Sequence, residues 1–193
     1  MILRQKLVRR GKNSLIVIMQ VISYLVLTPI IRVVVRANCW LPKNIRNLNR
    51  GALLIANHRS KSDPFVVLAH LPISVFMRIL PVRFPVDHDF MRRKRFRWTL
   101  PLVGAYDIGG TARERMLGLL RTKEYLDRNT TVFLFPEGRI HRQNVGEFQK
   151  GLEFFLGAGR RIVLIRIDGL ERASKSVFRH GNTLHFSTVL SVS

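Results

Sequence analysis

His58 and Asp63 stand five positions apart in LLIANHRSKSDPF, residues 53–65. An imidazole titrates near neutrality, so it can take a proton from a hydroxyl that is becoming a nucleophile. A carboxylate within reach of the other ring nitrogen would fix its tautomer and orientation. The spacing alone is weak: with 6 His in 193 residues and equally few Asp, roughly one such sequence in five carries it by chance. Asp63 also has a structural use, because Asp before Pro64 suits a helix start, with Asp at the N-cap and Pro at the first helical position. For His58 the plain alternative is a solvated loop histidine. A second element strengthens the catalytic reading. FLFPEGRIHR follows about 75 residues later and places Glu137 on a turn beside Gly138, with Arg139, His141 and Arg142 just beyond. Its plain alternative is an ordinary turn with solvated arginines.

Both stretches leave apolar runs, so strands must carry them. Residues 51–57 and TVFLF, 131–135, are short enough for buried strands, and the second is rich in β-branched and aromatic residues. RIVLIRI, 161–167, predicts another strand, and NTLHFSTVL, 182–190, alternates like a strand near a sheet edge. ISVFMRIL, 73–80, is a further strand candidate. Asp63-Pro64 opens a short helix, and residues 89–100 predict a basic helix. Thr111-x-x-Glu114 has capping-box spacing before a helix to about Leu126. FQKGLEFFLGAG, 148–159, predicts a helix with a Gly stop. Strands alternating with helices imply an α/β sheet covered by helices. In such a sheet ligands gather outside the carboxyl ends of the strands, where His58 and Glu137 are both expected.

The amino-terminal part differs. Residues 14–31, SLIVIMQVISYLVLTPII, carry no charge over 18 positions, the threshold length for a membrane span. Basic residues flank both ends, so the positive-inside rule sets no orientation. Pro29 predicts a break, with one helix to about Thr28 and a second short one after it. A bent interfacial anchor explains these features at least as well as a span. A buried core helix and a cleaved signal are the other readings, though RVVVRANC is a poor cleavage site. Residues 1–48 are thus expected to form an anchor and 49–193 a catalytic domain. The single Cys39 allows no intrachain disulfide and fits a reducing compartment.

The charge balance is extreme, with 33 Lys and Arg against 12 Asp and Glu and a net charge of +21. Such a chain seeks an anionic surface, an acidic carrier or a polyanion. Nucleic acid is not the expected partner: no helix-turn-helix, finger or aromatic RNA-binding signature accompanies the charge, and the 18-residue apolar run fits it poorly. A non-catalytic membrane scaffold is a third reading. MRRKRFRW, 91–98, holds five cations with Phe96 and Trp98. It reads as a solvated face, as a patch on lipid phosphates, or as a receiver for an acidic carrier.

NHRSKSDP and FPEGRIHR, in this order and separation, resemble the two signature motifs of the glycerolipid acyltransferases, in particular the 1-acylglycerol-3-phosphate acyltransferase family. Phe148-x-x-Gly151 and the strand that follows are similar too, so the resemblance spans about residues 50–170. It implies a glycerol-3-phosphate acyltransferase-like fold, a mixed central sheet flanked by helices. It implies direct acyl transfer from acyl-CoA or acyl-ACP, serving as co-substrate, to a lysophospholipid hydroxyl, with no cofactor and no metal. His58 would be the base and Asp63 the orienting carboxylate. Glu137 and Gly138 would form the acceptor loop, with Glu137 on glycerol hydroxyls and nearby arginines on phosphate. The site would face the cytoplasm at an anionic membrane. Two departures stand out. Arg139-Ile140-His141 replaces the usual Thr-Arg-Ser, which shifts the arginine by one place or passes its task to Arg142. Gly109 and Gly110 stand where an Asp-Arg pair is usual, leaving Arg113 or Arg115 as substitutes. Lys150 lies near the expected site, and Arg59 and Lys61 would meet anionic lipid or the thioester carrier.

Overall fold

The computed structural model describes residues 2–141, 146–148, 151–157, 159–170, 182–187 and 190–191. The parallel core of the sheet consists of β2 (Leu53–Ala56), β5 (Thr131–Leu134), β3 (Val82–Val86), β4 (Ala105–Asp107) and β6 (Arg161–Asp168). With β1 (Asn38–Trp40) and β7 (Thr183–Phe186) the order is β1-β7-β6-β2-β5-β3-β4, and β8 (Leu190–Ser191) pairs with β6. The β6–β7 and β6–β8 pairings are antiparallel and the rest parallel, so the sheet is mixed, as expected. β2 sits between β6 and β5 and is buried throughout, which is why its sequence is apolar without alternation. The sheet draws its edge strand β1 from residues 38–40, inside the segment expected to be anchor alone.

Alternate side chains of the central strands serve opposite layers. Leu54, Phe133 and Val163 pack under α1 (Ile2–Val35), α2 (Asp63–His70) and α3 (Ile73–Ile79). Leu53, Ile55, Val132 and Leu134 pack under α6 (Ala112–Asp127) and a 3-10 turn at Leu152–Phe155. The capping box holds: Thr111 Oγ1 accepts from Glu114 N, and the Glu114 carboxylate accepts from Thr111 N. α6 lies close to the sheet through Gly118, where a Cβ would sit 2.5 Å from the Ile108 carbonyl oxygen.

Three elements expected beyond residue 48 differ. Residues 73–79 are helix, not strand. The buried positions Val75, Phe76 and Ile79 lie on one helical face, and Pro72 precedes the first turn. The strand comes one step later, at β3. The basic helix expected over 89–100 is two short helices, α4 (His88–Arg92) and α5 (Thr99–Leu102). Asp87 caps α4 through the Asp89 and Phe90 amides, and Phe90 stacks on Phe96 at 4.7 Å across the intervening turn. Of the helix expected at 148–159, the described residues are helical only in the 3-10 turn, and Gly151 takes φ +104 immediately before it.

α1 runs unbroken through Pro29. Pro29 lies on the exposed side, and both halves of the helix are tied to α2 on the other. Tyr24 donates to the Leu71 carbonyl at 2.7 Å, and Arg32 Nε donates to the Ala69 carbonyl at 2.9 Å. Gln20 is the firmest tie. Its amide donates to the Val82 carbonyl at 2.6 Å and the Val103 carbonyl at 2.8 Å, and its oxygen accepts from Val82 N at 3.1 Å. A polar residue in an apolar helix is thus used as a clasp. Gln20→Leu should leave buried backbone groups unpaired and cost about 2–3 kcal/mol. A thermal melt of the full chain in detergent will show it as a lower midpoint.

Candidate active site

β2 ends in a polar residue that behaves as backbone. Asn57 donates to the Ile167 carbonyl at 2.8 Å and accepts from Ile167 N at 2.7 Å, extending the β2–β6 pairing by a side chain. The main chain is thereby released one residue early, and His58 leaves the sheet at its carboxyl edge. Arg59 turns inward rather than toward an anionic partner. It is 7% exposed, its Nε donates to Ile167 O at 3.3 Å and its Nη1 to His141 O at 3.1 Å. Lys61 remains exposed.

His58 and Asp63 meet as expected, with Nδ1 and Oδ2 2.9 Å apart. Asp63 is fully buried. Its Oδ2 also accepts from Arg59 N at 2.7 Å and Ser60 N at 2.8 Å, and its Oδ1 accepts from Ser60 Oγ at 2.7 Å. Besides the imidazole, three donors converge on this carboxyl group, so it faces His58 Nδ1 as an acceptor. Nδ1 of His58 therefore carries the proton, and Nε2 keeps its lone pair. Asp63 does not cap α2; it reaches back to the loop before it, and Ser62 occupies the N-cap without a side-chain capping bond.

The second motif completes the cradle. Phe135, just past β5, stacks on the His58 ring at 4.1 Å and 20°. Glu137 has a fully buried side chain. Its Oε1 accepts from His58 N at 3.1 Å and its Oε2 from Gly146 N at 2.9 Å. His141 N donates to His58 O at 2.8 Å. The carboxylate is thus engaged by the two loops themselves. Gly138, at φ +66, and Arg139 are exposed on the adjoining turn. Glu137→Gln turns an amide NH2 toward one of two backbone donors and should cost about 1–3 kcal/mol. Turnover should fall with it; a change in acceptor KM alone, with an unaltered melt, would contradict the bracing role.

Arg113 is exposed in the first turn of α6, beyond the end of β4, as is Arg115. Among the described residues, His58 has its side-chain partners in Asp63 and Phe135, and neither arginine is one of them. Arg142 and Lys150 lie outside the described residues. Beside Gly109 and Gly110 stands an imidazole instead: a Cβ on Gly110 would lie 3.2 Å from the His88 ring. His88 Nδ1 is 2.8 Å from Asp107 Oδ2, and Asp107 Oδ1 accepts from Gly109 N at 2.7 Å. This second imidazole–carboxylate pair lies at the carboxyl ends of β3 and β4, on the edge that carries His58. Sequence reasoning passed over it because its partners are 19 residues apart. Asn57, Arg59 and Phe135 were missed as positioning residues for a similar reason. Only Asn57, polar at the end of an apolar run, gave a local signal.

A family profile described as Acyltransferase matches residues 36–167. The chain belongs to the acyltransferase family. The matched span is more than half of the chain and holds both motifs. The fold agrees with that of a solved structure, the 1-acyl-sn-glycerophosphate (LPA) acyltransferase PlsC from Thermotoga maritima. The TM-score is 0.58 at 13% identity, over 95% of this chain and 87% of that one. A comparison with curated protein sequences gave no match. The lone thiol of this acyltransferase-family chain is unsuited to a covalent step: burial pushes Cys39 up to about 11, so it is protonated at neutral pH, and it sits on β1 at the far end of the sheet. The helix segment Asn13–Val35 is long and apolar enough to cross a membrane, with 22% of its apolar window buried.

Proposed function

We propose that the protein is an O-acyltransferase moving a fatty acyl group from acyl-CoA or acyl-ACP to the free hydroxyl of a lysophospholipid, with 1-acylglycerol-3-phosphate as acceptor and phosphatidic acid as product. The observation that carries this reading is the His58 geometry. Nδ1 is held by a buried carboxylate and one ring face is covered by Phe135, which leaves Nε2 as the open polar edge. Nε2 accepts the proton as the hydroxyl oxygen attacks the thioester carbonyl. The tetrahedral intermediate then collapses, the C–S bond breaks, and the departing thiolate takes that proton from the imidazolium. Asp63 stabilises the imidazolium in between. Transfer is direct and needs no cofactor. Gly138, Arg139 and Arg142 would meet the acceptor, with Arg113 and Lys150 as further cations for its phosphate. Glu137 would support the acceptor loop from beneath.

The protein is membrane-associated through α1, lying along the surface. One side of this helix is clasped to the domain by Gln20, Tyr24 and Arg32. The other carries Leu15, Ile18, Ile22, Leu25, Ile30 and Val33, each more than two-fifths exposed. A helix bound to a folded domain from Gln20 to Arg32 favours an interfacial anchor over a span. The catalytic edge would work on the cytoplasmic face. The His88 imidazole beside Gly110 supports a second reading of the acceptor, a lysolipid or an amine or hydroxyl compound without a phosphate monoester.

The test is an assay of purified protein in detergent with a panel of lysolipids and both thioester donors. Phosphatidic acid formation from 1-acylglycerol-3-phosphate is the expected result. Preference for a neutral or amine-bearing acceptor would select the second reading. No transfer to any acceptor from either donor would overturn both.

A further inference from the structure

Segment 92–98 supplies no partner to His58, and it is anchored to the fold by Phe96 on Phe90 and by Arg92 on His88 rather than by its charges. Arg92, Arg93, Lys94, Arg95 and Arg97 are all exposed. None forms an ion pair with a carboxylate among the described residues. Elsewhere three acids are each taken up by basic residues outside the segment: Arg59 and Arg166 meet Asp168, Lys123 and Arg160 meet Asp127, and Arg128 meets Glu124. Five cations packed into six positions repel one another, and an anionic surface would relieve that repulsion.

The cations are mounted on aromatic rings. The Arg93 guanidinium lies over the Phe90 ring at 5.4 Å, and the Arg97 guanidinium over the Trp98 ring at 4.9 Å. Trp98 is 70% exposed, the most open large apolar side chain described, and Leu102 is 39% exposed on the helix it opens. That helix, α5, packs on α1, and the Val103 carbonyl after it receives the Gln20 amide. α1 and the Trp98 turn are therefore neighbouring parts of the molecule. Lys61, inside the His58 loop, reaches the same Phe90 ring at 5.3 Å and joins the turn to the catalytic edge.

We propose that segment 92–98 is a second membrane contact, in which the arginines and lysine read anionic headgroups while Trp98 sits at the headgroup level and brings the His58 loop to the lipid surface. This deepens the membrane-associated reading above and does not depend on the acyl-transfer chemistry. Cations alone would suit a carrier protein or the phosphates of coenzyme A equally. An exposed indole beside an apolar helix favours a bilayer, whose interface accepts both.

The test is flotation of the full chain, made by cell-free synthesis in the presence of vesicles of phosphatidylcholine alone or with about 30% phosphatidylglycerol. The triple variant Arg93→Gln, Lys94→Gln, Arg95→Gln should lose on the order of 100-fold in partitioning to the anionic vesicles, at about fivefold per charge. It should change little on the neutral ones, where α1 and Trp98 act without help from the cations. A charge-keeping triple variant, Arg93→Lys with Arg95→Lys and Arg97→Lys, should float like the unaltered chain, which separates charge from folding. Raised salt should erase the difference between the two vesicle types. Unchanged flotation of the Gln variant on anionic vesicles overturns the proposal. So does a raised KM for acyl-CoA or acyl-ACP with flotation intact, which would assign the segment to the donor. Absence of acyl transfer, with flotation behaving as stated, would instead count against the enzymatic reading alone.

Discussion

Turnover of 1-acylglycerol-3-phosphate should fall about 10³-fold in His58→Ala, while the protein stays folded. The loss is that of the group which takes the hydroxyl proton. Stability should suffer little for an identifiable reason. Asp63, the buried partner, keeps three of its four donors when the imidazole goes: Arg59 N, Ser60 N and Ser60 Oγ. No bare charge is left in the core. What disappears is the stack on Phe135, about 1 kcal/mol. The β2–β6 exit is also untouched, because it rests on the Asn57 side chain. Initial rates with either thioester donor, read beside a thermal melt, test both halves. Undiminished turnover would remove His58 from the mechanism, and a collapsed melt would mean the imidazole is structural.

The parts of this molecule that were legible in its sequence are those encoded locally. Apolar runs at 53–56 and 131–134 are buried strands because each is covered on both faces and needs no polar alternation. The Thr111 capping box is a four-residue interaction and forms as its spacing says. His58 and Asp63 were readable because a single loop carries both. Residues 73–79 misled because Ile, Val and Phe suit strands by propensity, whereas their burial follows one helical face. Pro29 misled because the rule about helix breakage counts a lost backbone bond and not the clasps from Tyr24 and Arg32 to α2. The supports of the site were hidden for a different reason. Phe135 lies 77 positions from His58, and Ile167 lies 110 from Asn57; the sheet alone brings them together. Arg59 was expected on the surface because arginine in a motif loop usually is, but two carbonyls and Asp168 hold it inside.

Asp63→Ala should be the most damaging single change to the site, because it removes a charge and a scaffold together. The Arg59 and Ser60 amides lose their acceptor in a buried setting, a cost of about 3 kcal/mol or more. His58 loses the group that holds Nδ1, so turnover should fall at least as far as in His58→Ala. Asp63→Asn separates the two roles. An amide oxygen at the Oδ2 position still accepts from His58 Nδ1, Arg59 N and Ser60 N. The new NH2 falls at the Oδ1 position, beside Ser60 Oγ, whose hydroxyl can rotate to accept from it and donate to Ser62 Oγ, 2.8 Å away. The loop should therefore hold, with a melt lowered by only about 1–2 kcal/mol. The imidazolium formed during transfer, however, would face a neutral oxygen instead of an anion. Turnover should drop about 10²-fold through kcat, with the acceptor KM little changed, since Asp63 is too deeply buried to touch substrate. If Asp63→Asn keeps full turnover with a normal melt, the negative charge has no part in the reaction. Asp63 is then a brace for the loop, and orientation of His58 is all that the pair supplies.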